Sequence, residues 1–232
     1  MIVAYRYALY WAPPLAGPLH RLGSQWLGRD AETGAPAAQP LLPPISAARF
    51  AEITAEPRGY GFHATLKPPM RLRDGVSPED FIEAARAILA GVKAFTAPPL
   101  KVGRIGGFLA LVPAGDVAPW RGLADPLVEG LDEFRAPPTP AELEKRKKHP
   151  LSPAQDALLD RWGYPYVFDE WRFHMTLSAN LTSPERERVE VAALGHFAPI
   201  EGRAVAVVEA CVFAQEVPGG AFTVRARLPL AA

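Results

Sequence analysis

The sequence is poor in the features that sort proteins quickly. It holds one cysteine in 232 residues, Cys211. A single cysteine closes no intrachain disulfide, which excludes a disulfide-stapled fold and fits a reducing compartment. Cys211 sits in the apolar stretch VAVVEACVFA and reads as a small buried hydrophobe. Neither sign of charge is in excess: 25 Lys and Arg face 25 Asp and Glu. Proteins that grip long nucleic acid do so through many phosphates, and an even balance argues against that class of partner. A small anionic ligand needs only a local cluster of donors and stays open. No apolar run approaches the roughly 20 residues of a membrane helix. The opening MIVAYRYALYWAPPLAG has no basic leader before a long apolar run and reads as a strand, not a signal peptide. We therefore expect a cytoplasmic protein with no membrane partner. Oligomeric state is not legible.

What is present is an ordinary globular composition, 49% hydrophobic, enough for a sizeable core. The 26 prolines exceed the usual share of about 5%. They are scattered, and several follow Ser or Thr where a helix would start. YRYALYWAP predicts a strand, and LAGPLHRLGSQWLG a short helix. RDAETGAPAAQPLLPP reads as a loop, and SAARFAEITAEP as a helix capped by Ser46. SPEDFIEAARAILAGVKAF is the clearest helix: Ser77 can cap, Pro78 suits the first position, and acids fill the first turn. LKVGRIGGFLALVPAG predicts two strands around a glycine turn. APWRGLADPLVEGLDEFRA has a helical stripe interrupted by Pro126. Thr139 with Glu142, and Ser152 with Gln155, have capping-box spacing, and Gly163 can end the second of these helices. The chain closes on two long strands around Pro218-Gly219-Gly220, a hairpin.

Two pentapeptides stand out. Phe62-His63-Ala64-Thr65-Leu66 returns about 110 residues later as Phe173-His174-Met175-Thr176-Leu177. With five histidines and 14 serines and threonines, about 0.3 His-x-Ser/Thr tripeptides are expected by chance. The surroundings repeat too. SPED, a helix, FTAPPLKVGRI and a strand pair follow the first motif; SPER, a helix, FAPIEGRAVAV and a strand pair follow the second. Self-similarity in fixed order implies duplicated units. The fold class that fits is α+β: a bilobal, pseudo-two-fold duplicated domain spanning 1–232, with antiparallel sheets lining a central cleft and helices on the outer faces. Residues at about 114–165 have no counterpart and read as a mostly helical insertion.

Residues two apart on a strand share a face. His63 and Thr65 would then project together, as would His174 and Thr176, with Phe62, Ala64, Leu66, Phe173, Met175 and Leu177 turned to the core. Two imidazoles flanking one phosphorus can divide acid and base work, and the threonines can donate to its nonbridging oxygens. No metal-ligand spacing and no second cysteine accompany them, so neither metal nor cofactor is expected. Two histidines kept in the core by duplication are the competing structural reading, but the core-facing positions are already apolar.

The paired motifs resemble those of the 2H phosphoesterase superfamily. The surrounding words RYALYWAPP, YGFHATLKPP, RWGYPYVF and EWRFHMTLSANL are similar to one branch, the uncharacterised proteins of bacterial phosphonate-utilisation operons. The resemblance spans nearly the whole chain. It implies metal-independent phosphodiester chemistry, with His63, Thr65, His174 and Thr176 as the active quartet. It implies as partner a small phosphorylated metabolite or cyclic phosphate, such as 5-phosphoribosyl 1,2-cyclic phosphate. The alternatives are an RNA-end 2′,3′-cyclic phosphodiesterase or 2′–5′ RNA ligase-like enzyme, and a phosphometabolite-binding protein without turnover.

Further candidates are weaker. By alternation Lys67 and Arg172 share the histidine face and are candidates for phosphate binding. Tyr60 and Ser178 are candidates for lining the cleft, and Tyr164 and Tyr166 for stacking on a sugar or base. Strand-end and turn packing explain the same residues. EKRKKH, from Glu144 to His149, reads first as a solvated helix face; the alternative is an anion site that recognises a second phosphate if the insertion folds over the cleft. His20, His149 and His196 lack the motif and read as surface or packing residues. GRIGG reads as a hairpin turn, since no helix follows it.

Overall fold

Runs of alternating apolar residues supply the strands, and Ser- or Thr-Pro steps stand at the start of four of the eight described α-helices. The computed structural model describes residues 3–147 and 150–232. Strand β1 (Arg6–Trp11) leads to α1 (Pro18–Leu27), α2 (Ala47–Ile53) and α3 (Ala55–Tyr60). Strand β2 (Ala64–Met70) follows, then α4 (Pro78–Leu89), β3 (Phe95–Ala97), β4 (Leu100–Ile105) and β5 (Phe108–Pro113). Next come α5 (Ala118–Gly130), α6 (Pro140–Arg146) and α7 (Pro153–Trp162). The chain ends with β6 (Met175–Thr176), α8 (Ser183–Phe197), β7 (Val205–Val207), β8 (Glu209–Gln215) and β9 (Phe222–Pro229).

The expected caps form. Ser46, Ser77, Thr139 and Ser152 each accept from the backbone N–H three residues on, and the last two complete capping boxes. Gly163 ends α7 at φ 70°, a backbone angle that suits glycine. Pro126 does not interrupt its helix. α5 runs through it, because Trp120, Leu123 and Leu127 are fully buried there. Each such side chain contributes about 2 kcal/mol, which together outweighs the roughly 3 kcal/mol cost of a mid-helix proline.

Seven strands form one sheet in the order β4-β5-β6-β2-β1-β8-β9, and β3 pairs with β7 in a second; all these pairings are antiparallel. The two halves are thus joined edge to edge. The seam is β2 against β6, where Ala64 faces Met175, the middle residues of the two His-x-Thr motifs. Each half lends a hairpin to the other. β4–β5, which follows the first motif, lies beside the second motif's strand; β8–β9, which follows the second, lies on the first motif's side. One face of the large sheet buries Leu9, Trp11, Ala64, Leu66, Leu111 and Met175 under helices α1, α2, α4, α5 and α8. The other carries a small cluster around Tyr10, Cys211, Phe213 and Phe222. No helix among the described residues is long and apolar enough to cross a membrane.

Candidate active site

Both motifs turn as alternation requires. Phe62, Ala64, Leu66, Phe173, Met175 and Leu177 are buried in the main core. His63, Thr65, His174 and Thr176 project from the opposite face and line one cleft of about 330 Å³. Two indoles brace the motif backbones: Trp171 Nε1 donates to the Thr65 carbonyl at 2.9 Å, and Trp26 Nε1 to the Leu177 carbonyl at 2.8 Å.

The two histidines are held alike. His63 Nδ1 lies 2.9 Å from the Gly61 carbonyl, and His174 Nδ1 lies 2.8 Å from the Arg172 carbonyl. A carbonyl can only accept, so Nδ1 carries the proton in each ring and Nε2 is left with its lone pair. His63 Nε2 is 3.3 Å from Thr65 Oγ1, whose hydroxyl donates to it. A positioned base with its second nitrogen fixed by an acceptor is the arrangement that general base catalysis needs.

The surroundings break the symmetry. Tyr10 on β1 lies opposite Thr65, and Ala110 on β5 lies opposite Thr176. The Tyr10 ring stacks on His63 at 3.8 Å between centroids and 24° between planes. Among the described residues the ring that His174 meets is Phe108, tilted at 5.9 Å. Burial pushes His63 down to about 4, opposed by its bond to Gly61 and helped by His174. Burial also lowers His174, opposed by its bond to the Arg172 carbonyl. Both rings are therefore neutral at pH 7, with the Nε2 lone pair available.

The remaining candidates divide. Tyr60 and Tyr164 line the cleft; Tyr60 stacks on Phe222 at 5.4 Å. Tyr166 does not line it: it is 43% exposed and sets its edge against Tyr164. Ser178 is buried and spent on backbone, accepting from Leu109 N–H and donating to the Ala179 carbonyl. It borders only a smaller cavity that meets the main cleft at His63 and Thr176. Lys67 is 2% exposed and leaves the histidine face altogether. Register shifts in the β1–β2 pairing around Leu9 break the alternation, so Leu66 and Lys67 are buried in succession. Lys67 Nζ donates to the Val128 carbonyl at 2.9 Å, and burial pushes it down to about 8 against the pull of Asp132. Arg172 precedes the two-residue strand β6, so alternation does not govern it. Its side chain is exposed outside the cleft, and it serves through its carbonyl. His20 meets Asp30, and His196 meets the Leu22 carbonyl, both as packing residues. Lys148 and His149 of the basic run lie outside the described residues.

Sequence reading missed much of the rest of the wall. Arg6, Tyr10, Arg71, Arg135 and Glu142 all line the cleft, and no local pattern marks them. Arg146, from the basic run EKRKKH, lines it as well. Arg135, Glu142 and Arg146 come from the segment without a counterpart in the repeat, which was the available signal for the first two. Among the described residues no group of three His, Cys, Asp or Glu side chains is placed to hold a metal ion.

A family model described as "Protein of unknown function (DUF1045)" matches residues 65–223. Two curated relatives carry the name ribose 1,5-bisphosphate phosphokinase PhnN. The one from Janthinobacterium sp. (strain Marseille) is 39% identical over 228 residues, 97% of this chain and 50% of that protein. The one from Laribacter hongkongensis (strain HLHK9) is 37% identical over 207 residues, 87% of this chain and 48% of that protein. The chain spans about half the length of these curated relatives. Among solved structures, one titled "Crystal structure of phosphoesterase" shares 16% identity over 99% of both chains at a TM-score of 0.44. E. coli LigT complexed with NADP+ shares 17% over 99% of both at 0.45.

Proposed function

Taking as premise that the chain belongs to the DUF1045 family, we propose that it is a phosphodiesterase of the 2H type acting on a small, cyclic phosphodiester such as a ribose cyclic phosphate. One observation carries the reading. Two imidazoles, each pinned at Nδ1 by the carbonyl two residues before it, present Nε2 to one cleft, each two residues before a threonine.

His63, the more deeply shielded ring, is the base. Its Nε2 takes a proton from water as the water oxygen bonds to phosphorus. The bond from phosphorus to the leaving oxygen breaks, and His174, protonated on binding the anionic substrate, gives its Nε2 proton to that oxygen. With a cyclic diester the ring opens, and the single product carries both the phosphomonoester and the freed hydroxyl. The Gly61 and Arg172 carbonyls steady each ring while it is an imidazolium. Thr65 and Thr176 donate to the nonbridging oxygens, where transition-state charge gathers. No step requires a metal.

The relatives' name speaks of a kinase. This chain contains no Gly-Lys dipeptide and so no Gly-x₄-Gly-Lys-Ser/Thr phosphate loop. We assign the kinase step to the half of those proteins that this chain does not span. A ribose phosphate substrate is in keeping with their name. The RNA-end alternative draws on Tyr60 and Tyr164, whose rings could stack a base.

The test is ³¹P NMR with 5-phosphoribosyl 1,2-cyclic phosphate and, separately, 2′,3′-cyclic nucleotides, in EDTA. Turnover is expected with wild type and is lost in His63→Ala and His174→Ala. A preference for the nucleotides would move the RNA-end reading to first place. No turnover of either would sink the phosphodiesterase reading and leave phosphometabolite binding.

A further inference from the structure

The cleft wall holds arginines whose charges are not equally spent. Arg71 pairs with Glu142 at 3.4 Å, and Arg135 with Asp132 at 2.8 Å. Arg6 and Arg146 form no ion pair among the described residues. Arg6 is held by an amide instead. Its Nε donates to Gln215 Oε1 at 2.8 Å, and the buried Gln215 is itself fixed by donating to the Gly220 carbonyl. A neutral partner orients the guanidinium without cancelling its charge. Arg146 lies over the Tyr164 ring, 4.4 Å from its centroid. An aromatic face likewise positions the guanidinium and leaves it cationic. Elsewhere Arg49, Arg104, Arg121 and Arg161 all meet carboxylates. Arg29 and Arg58 are also held by neutral acceptors, but each spends its donors on several of them; Arg6 and Arg146 stand in one concavity with charge to offer an anion.

Its place is set by aromatic rings. Arg6 lies 5.6 Å over the Phe222 ring, which packs against Tyr10 at 6.1 Å and Tyr60 at 5.4 Å. The same Tyr10 ring stacks on His63. Arg6, Arg146, Tyr10, Tyr60, Tyr164 and His63 all line one cleft, and neither guanidinium is bonded to the proposed base. The histidine and threonine quartet already accounts for a diester phosphorus, which carries a single negative charge. Among the described residues, no arginine or lysine lines the smaller cavity, which shares Glu56, Tyr60, His63 and Thr176 with the cleft. The charged arm of the substrate thus extends to one side only.

We infer that Arg6 and Arg146, walled by Tyr10, Tyr60 and Tyr164, form a second anion site that binds a terminal phosphoryl group of the substrate. The substrate class is then a sugar phosphodiester that carries a further phosphate ester. This rests on the phosphodiesterase reading for what occupies the quartet. The arginine site itself is tested without turnover.

Isothermal titration at 150 mM salt, where diffuse attraction is screened within about 8 Å, compares ribose 1,5-bisphosphate with ribose 5-phosphate and ribose 1-phosphate. The bisphosphate is expected to bind at least about tenfold more tightly than either monophosphate, the order of gain that charge-assisted hydrogen bonds provide. That ratio is expected to fall below about threefold in Arg146→Ala and in Arg6→Ala. Arg49→Ala, whose arginine pairs with Glu185 away from the cleft, keeps it. Should Arg6→Ala fail to fold through loss of its Gln215 bond, Arg146→Ala decides. Equal affinity for the three sugars, no binding of the bisphosphate, or a ratio that survives Arg146→Ala overturns the inference. No diester turnover by the wild-type chain, with the ratio intact, would instead overturn the phosphodiesterase reading and leave the anion site standing.

Discussion

A histidine is only as useful as the group behind it, and here that group is a backbone carbonyl two residues back. ¹⁵N NMR of the free protein should find the Nδ1–H tautomer at both His63 and His174; the Nε2–H form at either would remove the case for a ready base. His63 also makes stability depend on pH. Between about pH 6.5 and about 4 the unfolded imidazole binds a proton and the folded one does not. Stability from this group is therefore full above about pH 6.5, declines as pH falls, and stops declining below about 4. Chemical unfolding across that range should show a shallower slope in His63→Gln; an unchanged slope would place the shift elsewhere. Removing the Tyr10 ring in Tyr10→Ala should move the His63 titration back toward its ordinary value, as read by NMR. Lys67 is the opposite case, a charge inside the core rather than at the site. Lys67→Met should cost about 1–3 kcal/mol by stranding the Val128 carbonyl, while phosphate affinity in the cleft holds within about twofold. A larger loss of affinity would return Lys67 to the binding surface. The quartet was legible in the sequence because strand alternation is local and the pentapeptides repeat. Tyr10 and Arg6 were not, because their role depends on which strand β1 pairs with. Lys67 misled because a register irregularity two strands wide leaves no mark on one strand's sequence.

Elements were legible where chemistry at their ends is local. Ser77-Pro78, Thr139 with Glu142, and Ser152 with Gln155 all cap as written. α8 departs slightly, starting behind Thr182 with no side-chain cap. Two elements escaped. SAARFAEITAEP reads as one helix, although Thr54 separates α2 from α3, and it is α3 that delivers Tyr60 to the cleft. The stretch RAVAVVEACVFAQ reads as one strand but is two: β7 joins β3 in the small sheet and β8 joins the large one. Alternation continues across the change of sheet, so the sequence carries no sign of it. The capping box of α6 has a consequence for the cleft. Glu142 caps Thr139 and also meets Arg71, so one carboxylate ties the insertion to the rim. Thr139→Ala should cost about 1 kcal/mol and speed amide hydrogen exchange across α6. Exchange that does not change would mean that packing alone holds the helix.

Across the whole molecule, the duplication is real in sequence but does not yield two separable lobes. Each half is paired with a hairpin from the other: β5 of the first half with the motif strand β6, and β8 of the second half with β1, the neighbour of the motif strand β2. Fragments 1–113 and 114–232 should therefore fail to fold alone, and the intact chain should unfold in a single transition; a cooperatively folded fragment would contradict the exchange of hairpins. The pseudo-two-fold itself was readable because the repeat order was kept, whereas the exchange was not, since topology is a property of pairing. Near the seam, Tyr10 faces Thr65 where Ala110 faces Thr176. A perfectly symmetric cradle would treat the two nonbridging oxygens of a bound diester as equivalent. This one has an aromatic wall on one side and a methyl group on the other, so the phosphorus sits in a handed environment. On the phosphodiesterase reading, substituting sulfur for one oxygen creates two configurations at phosphorus, and the enzyme should consume one diastereomer of such a phosphorothioate well ahead of the other.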